Sequence, residues 1–280
     1  MNPIKLIRII ARLLAFAFLI IVHVSRGFWI HWFVGDANER KRKFSNTAHS
    51  ITKVICRIFG IRVHVINEPP KDAPGLVIGN HLGFIDIMAA GATRPLLFVT
   101  SIEMRNTPVL GLLTEMGGCI YVERRNRMGI QDELKQMIDS LKSGFNICLY
   151  PEATSHNGEH VLPFKRTLLS AAAHAGVPVL PYVFNFRSIE GKPFSLENRD
   201  KVCWYGDMPF ITALLGAFSL KYVDVEIKFL EPLVTTPEDD RASIAHTLHQ
   251  LISKEFIPVQ MPEGHTATTA EVTPEIKSAQ

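Results

Sequence analysis

The chain has 280 residues, 47% apolar and 20% charged, too apolar for a disordered chain and long enough for one packed α/β domain with appendages. Thirty Lys and Arg face 27 Asp and Glu, and a net charge of +3 lacks the basic bias of a nucleic-acid binder. Cys56, Cys119, Cys148 and Cys203 form neither a C-x-x-C pair nor a zinc spacing, so they read as reduced, buried thiols in a cytosol-facing protein.

From Ile9 to Val24 the chain is apolar except for Arg12 and His23, with Lys5 and Arg8 ahead. A secretory signal has this shape, but no small-residue cleavage site follows. An aromatic cluster comes instead, Phe28, Trp29, Trp32 and Phe33, of the kind found at membrane interfaces. The uninterrupted run, Leu13 to Val22, is about half of the ~20 residues that a spanning helix needs. A single-pass helix and one lying in a single leaflet both stay open, beside a buried helix of a soluble protein. The basic tract from Arg40 to Lys43 favours the cytoplasmic side and anionic headgroups.

A second amphipathic segment covers Phe44 to Phe59 and stops at Gly60. Strands are then predicted at Ile61–Ile66, Leu76–Gly79, Leu96–Thr100, Cys119–Val122, Asn146–Tyr150, Val177–Pro181 and Tyr222–Leu230. Helices are predicted at Pro108–Met116, Ile130–Lys142, Arg166–Ala175 and Arg241–Phe256. This alternation implies an α/β fold, a mostly parallel sheet flanked by helices. The division expected is residues 1–44 as a hydrophobic and basic leader, 45–260 as the α/β domain and 261–280 as a loose tail.

Ligands of open α/β sheets bind beyond the carboxyl ends of the strands. Asn80-His81-Leu-Gly-Phe-Ile-Asp86 follows one strand, Glu123-Arg124-Arg125-Asn-Arg127 a second and Pro151-Glu152-Ala-Thr154-Ser155 a third. The H-x4-D spacing alone is weak. With 11 His and 10 Asp, chance supplies roughly 0.4 instances. Two exist, and His31…Asp36 lacks a strand before it. At the other, a turn through Gly83 lets Asp86 meet His81 and leave one ring nitrogen free to accept a proton. A capping or core histidine is the bland reading. The arginines read equally as solvated surface, as headgroup contacts or as a clamp on a substrate anion. Glu152 reads as a second base, a partner of substrate or Arg124, or a turn carboxylate.

His156 and His160 have H-x3-H spacing, but Asn157-Gly158 between them predicts a turn, and no third ligand accompanies them, so no metal is expected. P-loop, dinucleotide-binding and G-x-S-x-G motifs are missing from the sequence.

The ordered blocks Asn80-His81-x4-Asp86, Gly118-x5-Arg124, Tyr150-Pro-Glu-Ala-Thr154 and Val177-Pro-Val-Leu-Pro181 resemble the glycerolipid acyltransferases of the bacterial 1-acyl-glycerol-3-phosphate acyltransferase type. The resemblance covers about residues 45 to 235. It implies His81 as general base, Asp86 as its orienting partner and Arg124 as the acceptor-phosphate contact. It also puts Asn80, Glu152 and Thr154 at the acceptor site, with Pro181 shaping its wall. Lys165, in Leu162-Pro-Phe-Lys165, matches a downstream family segment, and Trp204-Tyr-Gly-Asp-Met208 resembles a block of lyso-ornithine-lipid acyltransferases. Two positions depart from the family pattern Pro-Glu-Gly-Thr-Arg: Ala153 stands for glycine and Ser155 for arginine. Losing that arginine removes one potential phosphate ligand. Either Arg125, Arg127, Lys165 or Arg166 compensates, or the acceptor is less anionic than lysophosphatidic acid.

The implied activity is acyl transfer from acyl-CoA or acyl carrier protein to a lysolipid hydroxyl, at the cytoplasmic face of the inner membrane and without a resident cofactor. The acceptor implied first is 1-acyl-sn-glycerol-3-phosphate, giving phosphatidic acid, with lyso-ornithine lipid as the alternative. A catalytically silent, membrane-tethered binding module is the reading from another class. An ester hydrolase would need a nucleophile or a metal that the sequence does not offer.

Overall fold

A computed structural model of the protein describes residues 3–123 and 129–261. Two long helices, α1 (Pro3–Phe33) and α2 (Ala37–Phe59), precede β1 (Ile61–Ile66) and β2 (Leu76–Ile78). Then come α3 (Phe84–Thr93), β3 (Leu97–Ser101), α4 (Ile102–Arg105), α5 (Leu110–Met116), β4 (Ile120–Val122), α6 (Ile130–Lys142) and β5 (Ile147–Leu149). A 3₁₀ turn at Leu168–Ser170 leads into α7 (Ala171–Ala175) and β6 (Val179–Ile189). The chain continues through α8 (Leu196–Arg199), α9 (Phe210–Ser219), β7 (Val223–Phe229) and α10 (Arg241–Glu255).

The seven strands form one sheet in the order β1-β7-β6-β2-β5-β3-β4. Every neighbouring pair is parallel except β6 and β7, so the sheet is mostly parallel and flanked by helices, as predicted. Strand periodicity sorts the core into two layers. Val77, Cys148, Leu180, Tyr182 and Phe184 pack with residues of α1, α2, α3 and α9 on one face. Leu76, Ile78, Ile147, Leu149, Val179 and Val183 pack with α6, α7 and α10 on the other.

The largest departure from the predicted elements is β6, which runs on to Ile189 rather than ending at Pro181. Proline is tolerated there because its missing N–H falls where β7 ends. Pro181 still accepts from the Leu230 N–H at 2.8 Å, so one ladder bond is forgone at a strand terminus. Helix α2 runs unbroken from Ala37 across the 44/45 position at which the sequence reading divides leader from domain. It starts on Asp36, whose side chain accepts the Glu39 N–H, and stops at Gly60 in the left-handed conformation, φ +70°.

Helix α1 is 31 residues long, the one described helix long and apolar enough to cross a membrane by length and composition. Its inward side sets a few buried polar groups among the core-packed Ile9, Leu13, Phe16, Leu19 and Ile30. The Arg12 guanidinium donates to the carbonyls of Ile58, Phe218, Leu220 and Lys221, and Arg8 donates to that of Ser219. Further along, His23 bonds the Leu113 carbonyl at 3.2 Å, and Gly27 lies so close to Met116 that a Cβ would collide with its side chain. Arg12 is 7% exposed, whereas Phe18 is 64% and Trp32 80% exposed on the opposite side. The helix is thus apolar on both sides, with its buried polar groups confined to the docked one.

Candidate active site

The site is built on three adjacent central strands, β6, β2 and β5. Asp86 sits at the third position of α3, and Gly83 is the residue capping that helix. A carboxylate there folds back over the helix start, where free N–H groups and the helix dipole favour it. Asp86 Oδ2 accepts the Gly83 N–H at 2.8 Å and the Leu82 N–H. The same carboxylate lies 3.1 and 3.2 Å from His81 Nδ1. The five-residue spacing is therefore strand end, turn and first helical turn. Gly83 adopts φ +154°, ψ −150°, and a Cβ there would stand 2.9 Å from the Trp204 nitrogen. Only glycine fits that backbone.

A second buried carboxylate holds the rest of the turn. Glu152, which follows β5, accepts the His81 N–H at 2.7 Å through Oε1 and the Leu162 N–H at 2.7 Å through Oε2. The His156 N–H donates to the His81 carbonyl at 3.1 Å, and the Trp204 N–H to the Leu82 carbonyl at 2.9 Å. The His81–Gly83 turn is thus fixed through its own backbone. The His81 ring stacks on Tyr150, centroids 4.3 Å apart and planes 16° from parallel. Behind it the Tyr182 hydroxyl donates to that of Tyr150 at 3.2 Å. Burial raises both phenols well above their ordinary range, so they stay protonated.

Of the residues singled out from sequence, His81, Asp86 and Glu152 converge directly. Asn80 is fully buried and spends both ends of its amide on Phe184, donating to its carbonyl at 3.0 Å and accepting its N–H at 2.8 Å. It staples β2 to β6. Pro181 is buried in β6 at the register of Ile78. Thr154 and Lys165 are exposed, and the Lys165 N–H, donating to the Pro151 carbonyl at 2.8 Å, draws its segment beside the Glu152 turn. Arg124, with Arg125 and Arg127, lies outside the described residues. Strand β4, which precedes it, is the sheet edge three places from β2, about 14 Å away at normal strand spacing.

Two features escaped the sequence reading. His156, taken for a loop histidine, is buried, and its Nδ1 accepts the Gly158 N–H at 3.1 Å. Its Nε2 stands 3.1 Å from Glu152 Oε2, within ion-pair range but out of line for a hydrogen bond. Its i+4 spacing from Glu152 was the available signal. The second is Ser155, whose hydroxyl donates to the Trp204 carbonyl. Trp204 thereby links the third block to the His81–Gly83 turn. Among the described residues no group of three His, Cys, Asp or Glu is placed to hold a metal.

The dyad, the glycine turn and the buried glutamate all lie within a stretch, residues 60–185, that matches the family model described as Acyltransferase. A lyso-ornithine lipid O-acyltransferase of Brucella abortus is 29% identical over 81% of this chain and 88% of that protein. One of Rhodobacter capsulatus is 31% identical over 70% of this chain and 72% of its own. The crystal structure of a 1-acyl-sn-glycerophosphate acyltransferase from Thermotoga maritima superposes with a TM-score of 0.63 over 90% of this chain and 96% of that one, at 19% identity, and shares the fold. The site geometry and these relatives agree: the chain belongs to the glycerolipid acyltransferase family and is an acyltransferase of the lysolipid-acylating type.

Proposed function

We propose that the protein O-acylates a lysolipid at the cytoplasmic face of the inner membrane, with His81 as general base. The observation that carries this is the state of one ring. Asp86 holds Nδ1, while Nε2 has no protein partner among the described residues, and the side chain is 17% exposed. The neutral tautomer that donates from Nδ1 presents a lone pair at Nε2. The acceptor hydroxyl gives its proton to Nε2 as its oxygen attacks the thioester carbonyl. The tetrahedral intermediate collapses, the C–S bond breaks, and the imidazolium returns the proton to the leaving thiolate. No acyl-enzyme forms and no resident cofactor takes part, since acyl-CoA or acyl carrier protein enters as co-substrate.

The acceptor is lyso-ornithine lipid in this reading. Ser155 stands where the family pattern carries arginine, and its hydroxyl is committed to Trp204 rather than to a ligand. An ornithine headgroup offers a carboxylate and an ammonium in place of a phosphate. Both relatives described above act on that lipid by name. The family resemblance gives Arg124 the contact with the acceptor anion, with Thr154 and Lys165 at the acceptor site and Pro181 shaping its wall. Purified protein assayed on lyso-ornithine lipid and on 1-acyl-sn-glycerol-3-phosphate, with both donors, tests this. Higher kcat/KM on the ornithine lipid is expected. Preference for the phosphate acceptor restores the family's first reading, and no turnover on either means a silent module.

The membrane reading rests on α1. Its contacts with the domain run from Arg8 to Ile30, about 33 Å of helix. That length is comparable to the ~30 Å hydrocarbon core, so the helix cannot both cross the bilayer and stay docked. It lies on the membrane, with Ile211 and Leu215 of α9 extending the same apolar surface.

A further inference from the structure

We infer that the groove between α1 and α2 is a binding site for the headgroup of an anionic bilayer phospholipid, separate from the acceptor site. The inference rests on the membrane reading above. The groove encloses about 410 Å³ and is lined by Arg26, Trp29 and Ile30 of α1 and by Lys43, Asn46 and Ser50 of α2. A second groove of about 360 Å³ begins on the other side of Trp29 and is wholly apolar, formed by Phe28, Trp29, Trp32 and Phe33. An open groove bordered by two cations and a shallow apolar surface meet at one tryptophan, an arrangement that suits an amphiphile, its anion on the first and its acyl chain on the second. Neither groove touches the His81–Gly83 turn.

The neighbouring charges narrow the choice. The tract from Arg40 to Lys43 reads in the sequence as a headgroup contact, but most of it is occupied within the protein. Arg40 donates to the Val34 and Gly35 carbonyls at 3.1 and 3.2 Å. Lys41 donates to the Ser140 hydroxyl at 3.2 Å, and the Arg42 guanidinium lies 5.1 Å over the Phe145 ring. Lys43 alone of the four lines the groove. Its one ion pair, with Glu39 at 2.9 Å, is solvent-exposed on both sides and therefore weak. Arg26 is exposed and makes no hydrogen bond or ion pair among the described residues. Two cations from two helices face one cavity, and the ligand that complements them is a phosphate on a lipid.

The full chain is tested by co-sedimentation with vesicles of phosphatidylcholine alone and of phosphatidylcholine with phosphatidylglycerol. Arg26→Gln with Lys43→Gln should lower affinity for the anionic vesicles by roughly tenfold or more and leave neutral-vesicle binding unchanged. Lys53→Gln with Arg57→Gln removes the same charge from exposed positions of α2 outside the groove, and should cost less than about threefold. Equal losses from the two pairs mean diffuse attraction and overturn the site. Retention of the anionic preference by the groove pair overturns it as well. Inorganic phosphate at matched ionic strength should not displace the vesicles; displacement reassigns the groove to free phosphate. Wild-type protein that ignores both vesicle types overturns the membrane reading itself, a result distinct from the others.

Discussion

The His81–Asp86 turn and helix α1 both bury polar side chains, and they do so to opposite ends. At the turn, Asp86 and Glu152 accept backbone N–H groups of residues 81 to 83, so the buried charge serves to immobilise a backbone. What remains unpaired is one nitrogen of His81. In α1, Arg12 and His23 donate to carbonyls of distant segments, so the buried donors help Leu19 and Ile30 dock a helix whose other side is also apolar. Buried polar groups are costly unless fully bonded. In one region that cost leaves one imidazole nitrogen open, and in the other it fixes a long apolar helix to the domain.

The comparison breaks hardest at the dyad. His81→Ala and Asp86→Asn should each lower turnover by ~10²–10⁴-fold with the protein still folded. The double variant should be little worse than the worse single one, because the pair acts as a unit. Steady-state kinetics on the accepted lysolipid read this out, and near-normal turnover of His81→Ala ends the general-base mechanism. Arg12→Met attacks the other region. It orphans buried carbonyls at the ends of α2 and α9, and should cost about 3 kcal/mol of stability while sparing kcat of the folded fraction. Thermal unfolding monitored beside activity separates the two effects.

Much of this was readable from the sequence, for reasons that differ by element. The H-x4-D spacing and the strand before it placed the dyad because capping geometry is local. The helix α3 that carries Asp86 was not read as a helix, since Phe84–Thr93 is buried nearly all round and shows no 3.6-residue stripe. Helix α9 was missed because apolar residues fill its exposed side as well, Ile211 and Leu215 opposite the buried Ala213, Leu214, Ala217 and Phe218. The end of β6 was misjudged because Pro181 normally stops a strand, and only the position of β7 in the sheet excuses it. The burial of His156 depends on Glu152 and Phe256, the latter 6.1 Å away between ring centroids and a hundred residues on. Such long-range contacts leave no periodic signature.

Two smaller effects sharpen the contrast. Tyr150→Leu removes the face on which His81 stacks and should lower kcat by roughly 5–10-fold with little change in KM. Tyr150→Phe keeps the stack and should stay within about twofold. Equal losses from both variants would assign the effect to the Tyr182 hydrogen bond instead. Ala153 holds φ +62°, where a side chain is strained. Ala153→Gly should therefore raise stability by about 0.5–1 kcal/mol in denaturant titrations. Thiol alkylation should have the least effect. Burial pushes the Cys56 and Cys148 thiols up to about 12, so at pH 8 native protein should keep its activity in excess iodoacetamide.

The pairing of β1 with β7 carries a consequence for biosynthesis. Ile61 to Ile66 align with Val223 to Lys228, and Arg12 reaches carbonyls at Phe218 to Lys221. Strand β1 and the Arg12 side chain thus wait for partners made more than 150 residues later. Through most of synthesis Arg8 and Arg12 lack their carbonyl partners at residues 218 to 221, and α1 is only partly docked. A nascent chain in that state is prone to aggregate in water and stable against a bilayer. Early membrane capture of the amino terminus would shield the chain while its sheet is still incomplete.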